Sequence, residues 1–276
     1  MPERQLDDKS YHQFRTFLEQ QCGIVLGENK QYLVKSRLAP LMSKFDVTSL
    51  EELLTRTLSP LERQLRAAVI DAMTTNETLW FRDDYPFKLL KSKILPDFAN
   101  KKSAVKIWSA ASSSGQEPYS IAMSVLEYKK SNPGSFAHGV KVIGTDISTT
   151  MLDHCNYAHY DSLALARGLS SERKRQFFET GDNGMFKVKD EVKDMVSFRQ
   201  MNLLNSYSLI GRFDIVFCRN VLIYFSAELK TQIISQIHGT LNDGGYLFLG
   251  ASESLSGFND NFNMLRCNPG IVYQKK

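Results

Sequence analysis

No stretch of the 276-residue chain approaches the roughly 18 consecutive apolar residues of a membrane-spanning helix. The opening MPERQLDDKSYHQFR mixes charges and has no apolar centre, so neither a secretory signal nor an anchor is expected. Cysteine is scarce. Cys22, Cys155, Cys218 and Cys267 stand apart, with no CxxC pair and no histidine at metal-ligand spacing. A disulfide framework and a metal site are therefore not expected, and lone thiols suit a reducing cytoplasm. Charge of one sign is nearly balanced at a formal +4, which creates no demand for nucleic acid. Repeats and low-complexity tracts are missing too. The most informative absence is glycine: the loop after the first strand-like run, VKIWSAASSSGQEPYSI, contains only Gly115. A dinucleotide site ordinarily needs G-x-G-x-x-G there, because a pyrophosphate must approach bare backbone.

What is present divides into two textures. From about residue 8 to 73 the pattern is helical, with Tyr11, Phe14, Phe17 and Leu18 on one face and Gly23 placed as a C-cap. NKQYLVKSRLAPLMSKF continues it, with Pro40 expected to kink or split the helix. SLEELLTRTL and PLERQLRAAVIDAM read as two more amphipathic helices, the second led by Pro60. After TTNETLWFRDDYPF and one further helix, FKLLKSKILPDFA, strands and helices alternate, as in a doubly wound parallel α/β sheet. FNMLRCNPGIVYQKK closes the chain as a hairpin. The exception to the alternation is an insertion at about 160–195, expected to carry a small antiparallel β-hairpin with GDNG at its turn. The expected division is a helical domain at 1–75, a linker at 76–98 and a sheet domain at 99–276.

In an open parallel sheet, ligands sit beyond the C-terminal ends of the strands. Candidate residues therefore follow strands. The small residues at 109–115 either let backbone approach a ligand or form a short connecting loop. Glu117 is a carboxylate for a cationic ligand or the partner of Ser114 in a capping box, with Pro118 near the helix start. Asp146, ending VIGTDIS, is placed to accept from two ribose hydroxyls, while Ser148 serves as the following N-cap. Asn202 is an adenine-reading amide or an ordinary loop residue. Arg219 and Asn220 follow the very apolar FDIVFC, where polar groups are costly to bury without partners. Together these point to a nucleoside with a polar or cationic tail and no phosphate, and S-adenosylmethionine is such a ligand.

Four stretches, TTNETLWFRD, WSAASSSGQEPYSIA, DIVFCRNVLIYF and LFLGASESL, appear in an order that closely resembles the bacterial chemotaxis receptor methyltransferases of the CheR family. The resemblance implies a class I methyltransferase sheet with an N-terminal all-helical domain and an inserted β-subdomain. It implies transfer of methyl groups from S-adenosylmethionine to receptor glutamates, giving glutamyl methyl esters and S-adenosylhomocysteine. By motif, Asn76, Thr78 and Arg82 should close over the cofactor, with Ala110, Glu117, Asp146, Asn202, Leu203, Arg219 and Asn220 completing its pocket. The chain reads Gly115-Gln116-Glu117-Pro118 where the family usually has Gly-Glu-Glu-Pro, and keeps the glutamate expected to bind. Arg82 and Tyr224 are expected to steer the incoming carboxylate, and Arg82 has as its alternative a salt bridge to Asp83 or Asp84. Lys30, Arg37 and Lys44, seven residues apart, would align on one face of a continuous helix and attract an acidic receptor helix. A solvated charge run is the ordinary alternative, and Pro40 weakens the geometry. The expected partners are the cytoplasmic domains of transmembrane receptors, met by a cytoplasmic monomer that neither inserts in the membrane nor binds nucleic acid. The compact GDNG turn favours action without a receptor's C-terminal pentapeptide tether. The rivals are a methyltransferase of another substrate and a non-catalytic cofactor-binding scaffold.

Overall fold

The structure is a computed structural model, and it describes residues 6–255 and 261–276. The first residues of the opening stretch read above lie outside the described ones.

Four helices make the N-terminal part. Helix α1 (Asp8–Cys22) starts where the Asp7 carboxylate accepts from the N–H groups of Lys9 and Ser10. It buries Tyr11, Phe14, Phe17, Leu18 and Cys22, and stops at Gly23, whose φ of 75° suits a residue without a side chain. Helix α2 (Gln31–Lys44) runs unbroken through Pro40, contrary to the expected kink or split. Pro40 and Ser36 both face solvent, so water can take the carbonyl that the missing N–H leaves free. Helix α3 (Leu50–Leu58) is capped by Ser49, and α4 (Arg63–Met73) begins three residues beyond Pro60, which sits in the preceding turn. Their inward faces form one core around Phe14, Leu18, Leu38, Leu53, Leu65 and Val69.

The helix expected at FKLLKSKILPDFA is three pieces: α5 (Tyr85–Leu89), a π-helical turn (Leu90–Ile94) and α6 (Leu95–Phe98). Pro96 has no N–H for the carbonyl four residues earlier, and the wider turn ahead of it absorbs that mismatch. The sheet domain follows as β1 (Val105–Ala110), α7 (Gln116–Ser131), β2 (Val140–Asp146) and α8 (Thr149–Tyr157). Then comes the insertion: β3 (His159–Tyr160), α9 (Ser162–Ala166), α10 (Ser171–Phe177), β4 (Phe178–Thr180), β5 (Phe186–Val188) and α11 (Asp190–Lys193). The chain returns through β6 (Val196–Gln200), β7 (Phe213–Cys218), α12 (Ala227–Thr240), β8 (Leu241–Leu249), β9 (Phe262–Arg266) and β10 (Ile271–Lys275).

The large sheet has the order β6-β2-β1-β7-β8-β10-β9. Its first five strands are parallel, and β10 pairs antiparallel with both β8 and β9, giving the expected terminal hairpin. Numbered in chain order within this sheet, the strands run 3-2-1-4-5-7-6, so the direction of winding reverses between β1 and β7. Helices cover both faces, which is why β7 reads as an apolar run and is buried at every residue. Its one charge, Asp214, accepts from Lys101 Nζ, the Lys106 N–H and Asn242 Nδ2 at 2.6–2.9 Å. The insertion forms a three-stranded antiparallel sheet, β3-β5-β4, rather than a hairpin alone. The extra strand is two residues long, too short for any alternation to reveal.

Candidate active site

At the C-terminal ends of β1, β2 and β7 lies a cavity of about 280 Å³. The sheet supplies its floor, the linker after α4 one side, and the segment joining α1 to α2 the other. It is lined by Lys30, Arg37, Asn76, Thr78, Arg82, Glu117, Asp146, Asn202, Leu203, Arg219, Asn220 and Tyr224, twelve residues singled out from the sequence. Ala110 ends β1 as a buried residue beneath the loop, and the neighbouring Ala111, Ser112 and Ser113 line the space. Lys44 lies at the exposed end of α2, away from the cavity.

The loop after β1 turns without the usual glycines. Ala111 and Ser113 take left-handed backbone angles, φ 56° and 49°, and hydrogen bonds hold them there. The Ser112 N–H donates to the Thr145 carbonyl at 2.8 Å and the Ser113 N–H to Asp146 Oδ2 at 2.8 Å. Ser113 Oγ donates to the Asn76 carbonyl at 2.9 Å, which fastens the linker to the loop. Asp146 also accepts from the Ser148 N–H at 2.9 Å, and Ser148 caps α8 as expected. Burial raises the Asp146 pKa above its ordinary value, against the pull of the N–H groups of Ser148, Ser113 and Ile147.

Glu117 does not form the capping box with Ser114. The N-cap of α7 is Gly115, without a side-chain cap, and Ser114 Oγ bonds Gln116 instead. Glu117 faces the cavity, accepting from Ser109 Oγ at 2.8 Å and Arg219 Nη1 at 2.9 Å. The Arg219 side chain, 1% exposed, also donates through Nη2 to the Arg82 carbonyl at 2.9 Å and to Asp83 Oδ2 at 2.7 Å. Asp83 thus pairs with Arg219, and Asp84 with Lys88, so neither of the alternative partners of Arg82 holds it. Arg82 donates to the Glu77 carbonyl at 3.2 Å and is half-buried at the cavity wall. Asn220, at φ 57°, donates its N–H to Glu253 Oε2 at 2.8 Å, which also takes the Gly250 N–H at 2.8 Å.

Asn202 bridges the two halves of the molecule. Its Nδ2 donates to the Gln21 carbonyl at 2.6 Å and its Oδ1 accepts from the Leu204 N–H at 3.0 Å. The Val25 N–H donates to the Tyr224 carbonyl at 3.1 Å, so the helical part also touches the segment carrying Tyr224. Arg37 turns inward: its guanidinium binds the carbonyls of Met73 and Thr74 and Thr75 Oγ1, at 2.5, 3.2 and 2.9 Å. The three cations at seven-residue spacing therefore do not make one free face. Lys30 stands at the start of α2 on the cavity rim, Arg37 braces the linker, and Lys44 alone is exposed away from the cavity. Sequence reasoning missed the wall formed by Cys22, Ile24, Val25, Leu26 and Leu33. These read as ordinary helix-end apolar residues, and only docking of one domain on the other gives them a surface to line.

Among the described residues no group of three or more His, Cys, Asp and Glu is arranged to hold a metal, and no helix is long and apolar enough to cross a membrane. The donor set suits a ribose-bearing cation: the carboxylates of Glu77, Glu117 and Asp146 border the cavity, the last at a strand end, and no glycine-rich backbone is present to cradle a pyrophosphate. S-adenosylmethionine fits those terms.

A family profile described as "CheR methyltransferase, SAM binding domain" matches residues 76–271, and one described as "CheR methyltransferase, all-alpha domain" matches residues 9–74. Chemotaxis protein methyltransferase 1 of Vibrio cholerae is 58% identical over 271 residues, covering 98% of each chain. Chemotaxis protein methyltransferase Cher2 of Pseudomonas putida is 54% identical over 268 residues, covering 96% of this chain and 98% of that one. At greater distance, the chemotaxis protein methyltransferase of Borreliella burgdorferi is 33% identical over 241 residues, covering 85% and 84%.

Proposed function

The chain belongs to the CheR methyltransferase family, an S-adenosylmethionine-dependent class I methyltransferase with an all-helical N-terminal domain, and on that premise we propose that it methylates glutamate side chains of chemoreceptors. The observation that carries this reading is that Arg82 and Tyr224 line the same cavity as Asp146 and Glu117. A residue suited to a carboxylate thus borders the space suited to the cofactor. Methyl esters form on the cytoplasmic domains of the receptors, and the enzyme works in the cytoplasm.

When bound, S-adenosylmethionine supplies an activated methyl group, leaving S-adenosylhomocysteine. Asp146 would hold the ribose through its hydroxyls, and Asn76, Thr78, Glu117, Asn202, Leu203, Arg219 and Asn220 would hold the rest of the molecule. The chain has little acid–base work to do. A glutamate side chain with a pKa of about 4.3 is already ionised at neutral pH, and no histidine lines the cavity among the described residues. Arg82 and Tyr224 orient the carboxylate, and orientation supplies most of the acceleration.

The direct test uses S-adenosylmethionine carrying a labelled methyl group, incubated with receptor-rich membranes. Base-labile label on the receptor band is expected. Label on nucleic acid or a small molecule instead, or no transfer with intact cofactor binding, would reject the reading. Asp146→Ala is expected to weaken cofactor binding by roughly 1.5–3 kcal/mol, the value of hydrogen bonds to a charged acceptor, and calorimetry checks it. In the wild type the ionised carboxylate is the acceptor, so affinity is present above the Asp146 pKa and falls as pH drops through it. Because burial raises that pKa, the loss should begin at higher pH than for a solvent-exposed aspartate.

Lys44→Glu is expected to slow methylation of intact receptors without changing cofactor affinity, since Lys44 projects from α2 into solvent. The difference from wild type should shrink as salt is raised. Identical initial rates for the two proteins at low salt would remove Lys44 from the receptor-binding surface.

A further inference from the structure

The linker that carries Arg82 is gripped by the inserted β-subdomain over several successive residues. The Arg167 guanidinium pairs with Glu77 at 3.0 Å, and the Trp80 N–H donates to the Arg167 carbonyl at 3.1 Å. Gly168, at φ 98°, lies so close that a Cβ there would sit 2.1 Å from the Trp80 carbonyl oxygen. The Trp80 ring makes edge contacts with Tyr160 of β3 and Phe178 of β4, at centroid distances of 4.9 and 5.2 Å. The next residue, Phe81, has φ 49°, a left-handed conformation that a bulky side chain rarely holds unaided.

Three things hold it. Its N–H donates to Ser120 Oγ of α7 at 3.1 Å, its ring packs edge-on to Phe87, and the Arg173 guanidinium of α10 lies over its face, 3.6 Å from the centroid. Arg173 is itself fixed by a two-point pair with Glu127 of α7, Nε to Oε1 at 2.7 Å and Nη2 to Oε2 at 3.1 Å. Lys91 joins the same carboxylate at 2.5 Å. The planar fork is thus pinned by its edge while its flat face presses on Phe81, immediately before Arg82.

From this we infer that Arg173 is a positioning residue for methyl transfer, acting through Phe81 to set the direction in which Arg82 enters the cavity. The inserted subdomain is on this account part of the mount of the active site. The inference rests on the reading of Arg82 given above. A lysine at 173 keeps a cation for Glu127 but loses the flat face over Phe81, which separates support of the fold from positioning.

The test compares Arg173→Ala, Arg173→Lys, Arg82→Ala and the Arg82→Ala/Arg173→Ala double variant. Saturating labelled cofactor and receptor-rich membranes give kcat, calorimetry gives cofactor affinity, and thermal unfolding gives stability. Arg173→Ala is expected to lower kcat by about 10- to 100-fold, the scale of an ångström-size misplacement, with cofactor affinity kept. Arg173→Lys should regain stability and remain slow, and it carries the comparison alone if the alanine variant does not fold. In the Arg82→Ala background, loss of Arg173 should cause no further slowing, because two residues acting through one group are not additive. Rate and stability recovering together in Arg173→Lys would overturn the inference, as would equal slowing by Arg173→Ala with and without Arg82. An Arg82→Ala enzyme as fast as wild type would overturn the role of Arg82 itself, and the positioning of it with that role.

Discussion

Arg82→Ala is expected to cut the rate of methyl transfer by roughly 100-fold or more, the cost of misplacing a reacting group, while cofactor affinity changes little. The structure gives the reason for the asymmetry. Among the described residues the Arg82 side chain makes one hydrogen bond, to the Glu77 carbonyl, and it borders the cavity. The floor of the cavity near the strand ends is instead fixed by Asp146, Glu117 and Arg219, which do not depend on the Arg82 side chain. Because the nucleophile is already ionised, the wild-type rate of the chemical step should stay nearly flat between about pH 6.5 and 8.5. A bell-shaped profile centred near neutrality would indicate a titrating base instead. Arg82→Lys should recover only part of the loss, keeping charge but not the planar fork. Single-turnover transfer across that range, for wild type and both variants, makes the comparison. Loss of cofactor binding in Arg82→Ala, with transfer intact at saturating cofactor, would reject the assigned role.

The second large effect is on stability. Arg219→Met is expected to destabilise the protein by about 3 kcal/mol, the lower end of the range for breaking a buried ion pair. Methionine replaces much of the aliphatic stem and leaves the carboxylate of Glu117, whose side chain is 13% exposed, with the Ser109 hydroxyl as its one remaining side-chain partner among the described residues. Asp83 contributes less to the loss, since its side chain is 33% exposed and can return to water. The lower end applies because the cavity lets solvent reach Glu117 once its partner is gone. Adding Glu117→Gln should recover part of the stability, since it removes the uncompensated charge. Urea unfolding of the single and double variants tests this. An unchanged midpoint for Arg219→Met would mean that the buried lattice is not holding the linker to the end of β7.

Much of the architecture was readable because single residue types carried it. FDIVFC announces a strand buried on both faces, Gly23 a helix end, Ser148 a cap, and Asp146 a carboxylate at a strand end. Local pattern misled where tertiary partners outcompeted it. Ser114 and Glu117 have capping-box spacing, yet the carboxylate is drawn to Arg219, some hundred residues away in sequence. Arg37 looked like a surface cation but is spent on the carbonyls that end α4. Asn202 read as an adenine-reading amide or an ordinary loop residue, and nothing local shows that its Nδ2 reaches Gln21 across the domain boundary. Glu253 lay inside one of the recognised stretches, but nothing in GASESL says that its carboxylate would gather the N–H groups of Asn220 and Gly250. Such bonds depend on which strand ends lie side by side, and that is settled only when the sheet is assembled.

Gly23 bears on how freely the two domains could be exchanged between relatives. A Cβ at this position would meet the Phe225 ring at 2.6 Å and the Leu204 side chain at 3.1 Å, both belonging to the sheet domain. The residue that ends α1 is thus also a mating surface, and the adjoining Gln21 carbonyl and Val25 N–H are bonded to Asn202 and Tyr224. A chimaera spliced at residue 75 would cut the polypeptide where it is simplest to cut, yet would separate these halves of a matched joint. The helical domain is inherited well only together with the residues at 202–204 and 224–225, so the recombining unit is set by that seam, and the linear boundary between the domains does not define it.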